Sequence, residues 1–185
     1  VVQQLRRRGL AQLFLSGGEP LQRFDVLLDL VASVGSDVDV WVLSSGRGLT
    51  REKAQRLAES GLTGVSLSLD HWDAATHDAF RGRPRSFDAV TTAAAEVRNA
   101  GLVLALSLCP VRSFVSPDNL KRYANLACSL GASFIQILEP KAVGHYAGQD
   151  VALDAARQEE LERFVNWLNS APEARKLPVA SYLDA

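Results

Sequence analysis

The sequence predicts an α/β fold in which parallel strands alternate with helices. Three observations carry that reading. Helix-like stretches repeatedly stop at glycine, at Gly9, Gly35, Gly61, Gly101 and Gly131, the residue that takes the left-handed position ending a helix without a Cβ penalty. Within a few residues of each stop comes a short, mostly continuous apolar run, the mark of a parallel strand covered on both faces. Between the runs, apolar residues recur at helical spacing. Such alternation requires right-handed βαβ crossovers and a parallel sheet. Two architectures satisfy it, a (β/α) barrel and a doubly wound sheet. A complete eight-fold barrel takes about 250 residues, so in 185 residues a barrel would be open or partial.

Taken in order, Val1 to Arg8 reads as the end of a helix, with Arg6, Arg7 and Arg8 suited to its negative C-terminal pole. The first strand is Ala11 to Ser16. Pro20, whose fixed φ suits a first helical turn, opens a helix carrying Phe24, Leu27, Leu28, Val31 and Val34. The second strand is Val38 to Ser44. Thr50 caps a helix carrying Ala54, Leu57 and Ala58, with Glu52 in its first turn. The third strand, Thr63 to Leu69, is followed by an insertion, Asp70 to Arg85, which fills the longest gap between glycine stops. Phe87, Val90, Ala94 and Val97 mark the next helix, Leu102 to Cys109 the fourth strand. Leu120, Tyr123, Ala127 and Leu130 mark a further helix, Ser133 to Leu138 a fifth strand. Leu161, Phe164, Val165 and Leu168 mark the last helix, and Val179 to Tyr182 is a weaker sixth strand.

Composition removes several function classes. The formal charge is −1, so no basic excess attracts nucleic acid and no acidic excess signals a disordered chain. The greasiest stretch, Leu102 to Val111, is far below the roughly 20 apolar residues of a membrane span. No membrane segment is expected. Cys109 and Cys128 are too few for a disulfide scaffold and no signal peptide opens the chain. A reducing cytoplasm fits. The chain starts at Val1 and contains no methionine, which suggests that residues precede it.

In both architectures the functional site lies at the carboxyl ends of the strands. The first such end is Ser16-Gly17-Gly18-Glu19-Pro20. Paired glycines let backbone N–H and C=O groups approach a ligand, and Glu19 can face a cationic ammonium. An ordinary βα turn fits the same residues. A phosphate loop does not, because GxxxxGK[ST] is absent and Glu19 would repel the phosphate.

Leu13 to Pro20 resembles the second strand and GGE motif of radical S-adenosylmethionine enzymes, whose core is a partial, TIM-like (β/α) barrel. Further matches follow in order. Ser44-Ser45-Gly46 loosely resembles that family's Thr-Asn-Gly, Ser66 to Asp70 its SxSLD, and His77-Asp78, Arg81-Gly82 and Phe87-Asp88 the HDxxRG and FD pattern of its SPASM-type branch. The likeness thins beyond Tyr146. It therefore divides the chain into a barrel core over 1–146 and a C-terminal helix and short strand over 147–185 leading to a further extension. What the resemblance implies is that Gly17, Gly18 and Glu19 hold the methionyl amino group, Ser68 the ribose, and Arg81 the ribose or the methionyl carboxylate. Leu138 would be an apolar wall for adenine. Each residue also has a plain alternative: Ser68 a strand hydroxyl, Arg81 a helix-end cation, Asp70 a cap or turn residue, Leu138 core.

The resemblance further implies reductive cleavage of S-adenosylmethionine by a [4Fe-4S] cluster, giving a 5′-deoxyadenosyl radical that abstracts hydrogen from a substrate. Peptide or protein modification is the leading substrate class, with a reductant such as flavodoxin or ferredoxin. One departure stands out. The family's CxxxCxxC, whose thiolates hold the cluster, is absent, and neither Cys109 nor Cys128 has a CxxC partner. Both read as buried small hydrophobes, with the cluster segment expected directly before Val1. Such a fragment alone would be inert. The alternative is a non-catalytic barrel that binds a ligand or partner and has lost its cluster.

Other chemistry finds no support. Ser44 and Ser45 are not in GxSxG, and His71 and His77 do not have zinc-ligand spacing on one helix face. His145 is a loop candidate for substrate contact. Gly46-Arg47-Gly48 lacks the third glycine of a dinucleotide fingerprint. A phosphate-binding or aldolase-like barrel would need strand-end lysines or a late Gly-rich loop, and Lys141 is the sole lysine near a strand end.

Overall fold

A computed structural model describes residues 2–141, 147–148 and 151–183. Its elements are α1 (Val2–Arg6), β1 (Gln12–Leu15), α2 (Phe24–Val34), β2 (Asp39–Ser44), α3 (Arg51–Glu59), β3 (Gly64–Ser68), α4 (Ala74–Arg81), α5 (Ser86–Asn99), β4 (Val103–Leu108), α6 (Pro117–Leu130), β5 (Phe134–Leu138), α7 (Ala155–Ser170) and β6 (Val179–Leu183). Strand order follows chain order without a reversal. A doubly wound sheet needs a reversal at its switch point, so the strand order is that of a partial (β/α) barrel.

The chain divides into two compact units, Val1–Ser68 with Asp88–Leu104, and Leu69–Phe87 with Ala105–Ala185. In the first, β1, β2 and β3 pair in parallel, with Phe14 beside Trp41 and Trp41 beside Gly64. The Val103 N–H donates to the Thr63 carbonyl and starts β4 alongside β3. Gly64 is required by packing: a Cβ there would stand 2.5 Å from the Trp41 ring and 2.5 Å from the Val103 carbonyl oxygen. The expected Thr50 cap is present, its hydroxyl accepting from the Lys53 N–H at 3.3 Å. Arg6 stands in the last turn of α1, as expected, and also pairs with Asp37 at 2.6 Å.

In the second unit β4, β5 and β6 pair in parallel, with Ser107 beside Gln136 and Gln136 beside Ser181. The Leu69 N–H donates to the Ser107 carbonyl. Side chains alternate along a strand, and here the two faces differ in chemistry. Leu106, Leu108, Ile135 and Ile137 are fully buried on one face, and α7 lies on that side, where Gln158 reaches Glu139. Ser107, Gln136 and Ser181 stand on the other.

The Asp70 to Arg85 insertion is organised by α4. Asp73 caps it, accepting from the Thr76 N–H at 2.9 Å, and Gly82 ends it at φ 60. Eight residues carry too little apolar periodicity to declare a helix in the sequence. Asp78 then accepts from the Arg85 and Phe87 N–H groups and the Ser86 hydroxyl, which fixes the start of α5. Pro20 likewise opens a 3₁₀ turn, Pro20–Arg23, before α2 begins. Cys109 and Cys128, expected to be buried, are both half-buried. The cause is position: Cys109 stands just past the end of β4, and Cys128 on α6 meets the Lys176 carbonyl at 3.1 Å.

Candidate functional site

Two groups of strand-end residues emerge, one in each unit. In the first unit the chain leaves β1 through Gly17 and Gly18, at φ 120 and 48. A Cβ at either would meet nothing within 4 Å, so glycine serves the backbone conformation there and leaves open space beside it. A cleft of about 440 Å³ adjoins this loop, bounded by Phe14, Gly17, Gly18, Glu19, Val26 and Leu30.

Glu19 is held on all sides. Its Oε1 accepts from the Ser44 hydroxyl at 2.7 Å and from the Leu21 N–H at 3.3 Å. Its Oε2 accepts from the Ser45 N–H at 2.9 Å and from the Ser45 hydroxyl. Four donors match the roughly four lone-pair sites of a carboxylate. Glu19 therefore ties the loop after β1 to the end of β2, and a cationic ligand would take the place of one of these donors. The Ser44-Ser45-Gly46 stretch thus has a definite local role. Ser68 ends β3, half-buried, on the same face as Ser66. The Ser66 hydroxyl is buried with no partner among the described residues.

In the second unit Arg81 closes α4, with its Nε 2.5 Å from Asp70 Oδ2. Asp70 Oδ1 accepts from the Cys109 N–H at 3.1 Å, and the Asp70 N–H donates to His77 Nδ1 at 3.1 Å. The Tyr123 hydroxyl donates to the Leu69 carbonyl at 2.7 Å. Burial pushes the Asp70 carboxyl up while Arg81 pulls it down. Burial, with Arg81 adding, lowers His77 to about 4. Burial and the Asp70 charge push the Cys109 thiol up to about 11. At neutral pH the imidazole is uncharged and the thiol protonated.

Arg81 is thus neither a bare helix-end cation nor independent of Asp70. Asp70, read as a cap or turn residue, is a buried ionic anchor. The signal was available in part: His77 and Arg81 are four apart and share one face of a helix, but only the fold brings Asp70 against them. Leu138 ends β5 and is 38% exposed, too open to be core. Glu139 beyond it accepts from Gln158 at 2.9 Å and from the Tyr182 hydroxyl at 2.7 Å. His145 and Tyr146 lie outside the described residues.

The donor set does not suit a [4Fe-4S] cluster, which takes thiolate ligands. The two thiols here lie on separate elements, and no group of three or more His, Cys, Asp or Glu side chains able to hold a metal occurs among the described residues. S-adenosylmethionine fares better. In the first unit the open glycine loop beside the Glu19 carboxylate has the chemistry for an ammonium group.

The profile of the Radical SAM superfamily matches residues 1–136. The AdoMet-dependent heme synthase of Nitratidesulfovibrio vulgaris is 31% identical over 159 residues, covering 84% of this chain and 41% of that protein. The PqqA peptide cyclase of Streptomyces rochei is 37% identical over 147 residues, covering 78% of this chain and 39% of that protein. The chain therefore spans about two fifths of the length of these relatives. Among solved structures, Streptococcus suis SuiB bound to precursor peptide SuiA aligns with a TM-score of 0.76 at 15% identity, over 100% of this chain and 40% of that one.

Proposed function

The chain belongs to the radical SAM superfamily, and from that premise we propose that it is the barrel portion of an enzyme that reductively cleaves S-adenosylmethionine and modifies a peptide. Gly17, Gly18 and Glu19 bind the methionyl ammonium, Ser68 the ribose, Arg81 the ribose or the methionyl carboxylate, and Leu138 packs on the adenine. The cosubstrate supplies the radical chemistry, and the reducing cluster would be held by cysteines that this sequence does not contain. The chain's own residues bind, orient and keep competing groups away. The peptide substrate is inferred from relatives whose names specify a peptide cyclase and a precursor-peptide complex. No helix among the described residues is long and apolar enough to cross a membrane, and the cytoplasm, with flavodoxin or ferredoxin as electron donor, completes the proposal.

The observation that carries the reading is the loop at the end of β1: two glycines at positive φ with open space beside them, followed by a carboxylate already fixed in orientation by four donors. Calorimetric titration with S-adenosylhomocysteine tests it. Gly18→Val, which forces a β-branched side chain to φ 48, is expected to weaken binding at least about tenfold. Equal affinity in the variant would remove the loop from the site. In the cluster-loaded gene product, 5′-deoxyadenosine should form from S-adenosylmethionine. Binding without that product would instead favour a barrel that has lost its cluster.

A further inference from the structure

Ser107, Gln136 and Ser181, on the face of β4, β5 and β6 that also carries Leu138, have themselves no role in the cosubstrate reading. Register puts the three side by side, Ser107 against Gln136 and Gln136 against Ser181, so they form one polar row across three neighbouring strands. Parallel strands covered on both faces normally read as continuous apolar runs. Here the opposite face keeps that rule, with Leu106, Leu108, Ile135 and Ile137 fully buried. The row face breaks it at three adjacent positions. Ser107 is 8% exposed, yet its hydroxyl makes no hydrogen bond among the described residues, and the half-buried Gln136 carboxamide makes none either. A buried polar group without a partner is destabilising and rare in a native fold. Ser107 is the buried member, and the half-buried Gln136 and exposed Ser181 continue it in register as one polar row that opens toward solvent.

We propose that Ser107, Gln136 and Ser181 form a subsite that binds a backbone amide of the peptide substrate. The Gln136 carboxamide is the centre of the row, because it offers a donor and an acceptor side by side and so matches a peptide group, which offers the same pair. The flanking hydroxyls donate or accept as the bound strand requires. No charged side chain lies in the row, so the recognised group is neutral rather than anionic. The row stands two residues before Leu138 on the same face of β5, about 6–7 Å toward the amino end of the strand. The assignment of an amide rests on the peptide-modifying function proposed above.

The test is nuclear magnetic resonance of the protein with N-acetyl-leucine methylamide as the peptide mimic, following the Gln136 side-chain amide signals, which Gln136→Glu identifies by removing them. The expected result is a saturable movement of those signals. Affinity for the mimic should weaken at least about fivefold in both Gln136→Glu and Gln136→Leu, with a smaller loss in Ser107→Ala. Gln136→Glu keeps the shape of the side chain, and thermal melts of each variant separate lost binding from lost folding. Unmoved signals, or equal affinity in folded variants, would overturn the subsite. S-adenosylhomocysteine is titrated in parallel. If it binds while the mimic is silent, the subsite fails and the cosubstrate reading stands. If the mimic binds and S-adenosylhomocysteine does not, the row stands and the cosubstrate reading fails. Movement of the Gln136 signals by S-adenosylhomocysteine alone would give the row to the nucleotide and overturn the proposal.

Discussion

Arg81 Nε lies 2.5 Å from Oδ2 of Asp70, whose side chain is 2% exposed while that of Arg81 is 34% exposed. The buried partner cannot move without breaking its bond from the Cys109 N–H, so the guanidinium is anchored through Nε. Asp70→Asn removes the anchor charge and keeps the shape. Breaking a buried pair costs several kcal/mol, but the exposure of Arg81 reduces this to about 1–3 kcal/mol, read from urea unfolding. If Asp70 acts through Arg81, the substitution also weakens S-adenosylhomocysteine binding about tenfold. In an Arg81→Met background it should weaken binding no further, and an equal additional loss there would show that Asp70 acts independently.

His77 makes stability depend on pH. Its folded value of about 4 lies below the unfolded 6.5, so between these values the unfolded chain binds the extra proton and stability falls as pH drops from 6.5 towards 4. The full effect is about 3–4 kcal/mol. Arg81 and His71 oppose the charged imidazole and Asp78 favours it. Asp70 works with the opposite sign, because its raised folded value makes the folded state the better proton acceptor as pH falls. The His77 contribution is therefore the difference between the parent and His77→Gln in unfolding measured at pH 7 and pH 5. No difference between the two slopes would contradict the buried, neutral imidazole.

Among the glycines of the first unit, Gly64 has the least room for a side chain. A methyl group there would meet the Trp41 ring and the Val103 carbonyl at 2.5 Å each, and neither is the far end of a flexible side chain. Gly64→Ala is expected to cost about 2–3 kcal/mol, seen as a lower unfolding midpoint with loss of the Trp41 fluorescence environment. Restoring space with Trp41→Phe in the same chain should recover part of it.

By itself the sequence determined the fold class, because glycine stops, apolar runs and helical spacing are local properties: all six expected strands and the helices at Phe24, Thr50, Phe87, Leu120 and Leu161 are present. The paired glycines with Glu19 were legible for the same reason, being contiguous at one strand end. The helix α4 was not, since eight residues hold too few turns for a period to show. What only the tertiary structure decided were relationships between distant residues. Glu19 meets Ser44 and Ser45, Asp70 meets Cys109 and Arg81, and Ser107, Gln136 and Ser181 align. Strand register and burial set these contacts, and neither is written in the spacing of residues along the chain. Burial also sets whether His77 and Cys109 carry charge, because the cost of an ion depends on the solvent that the fold removes.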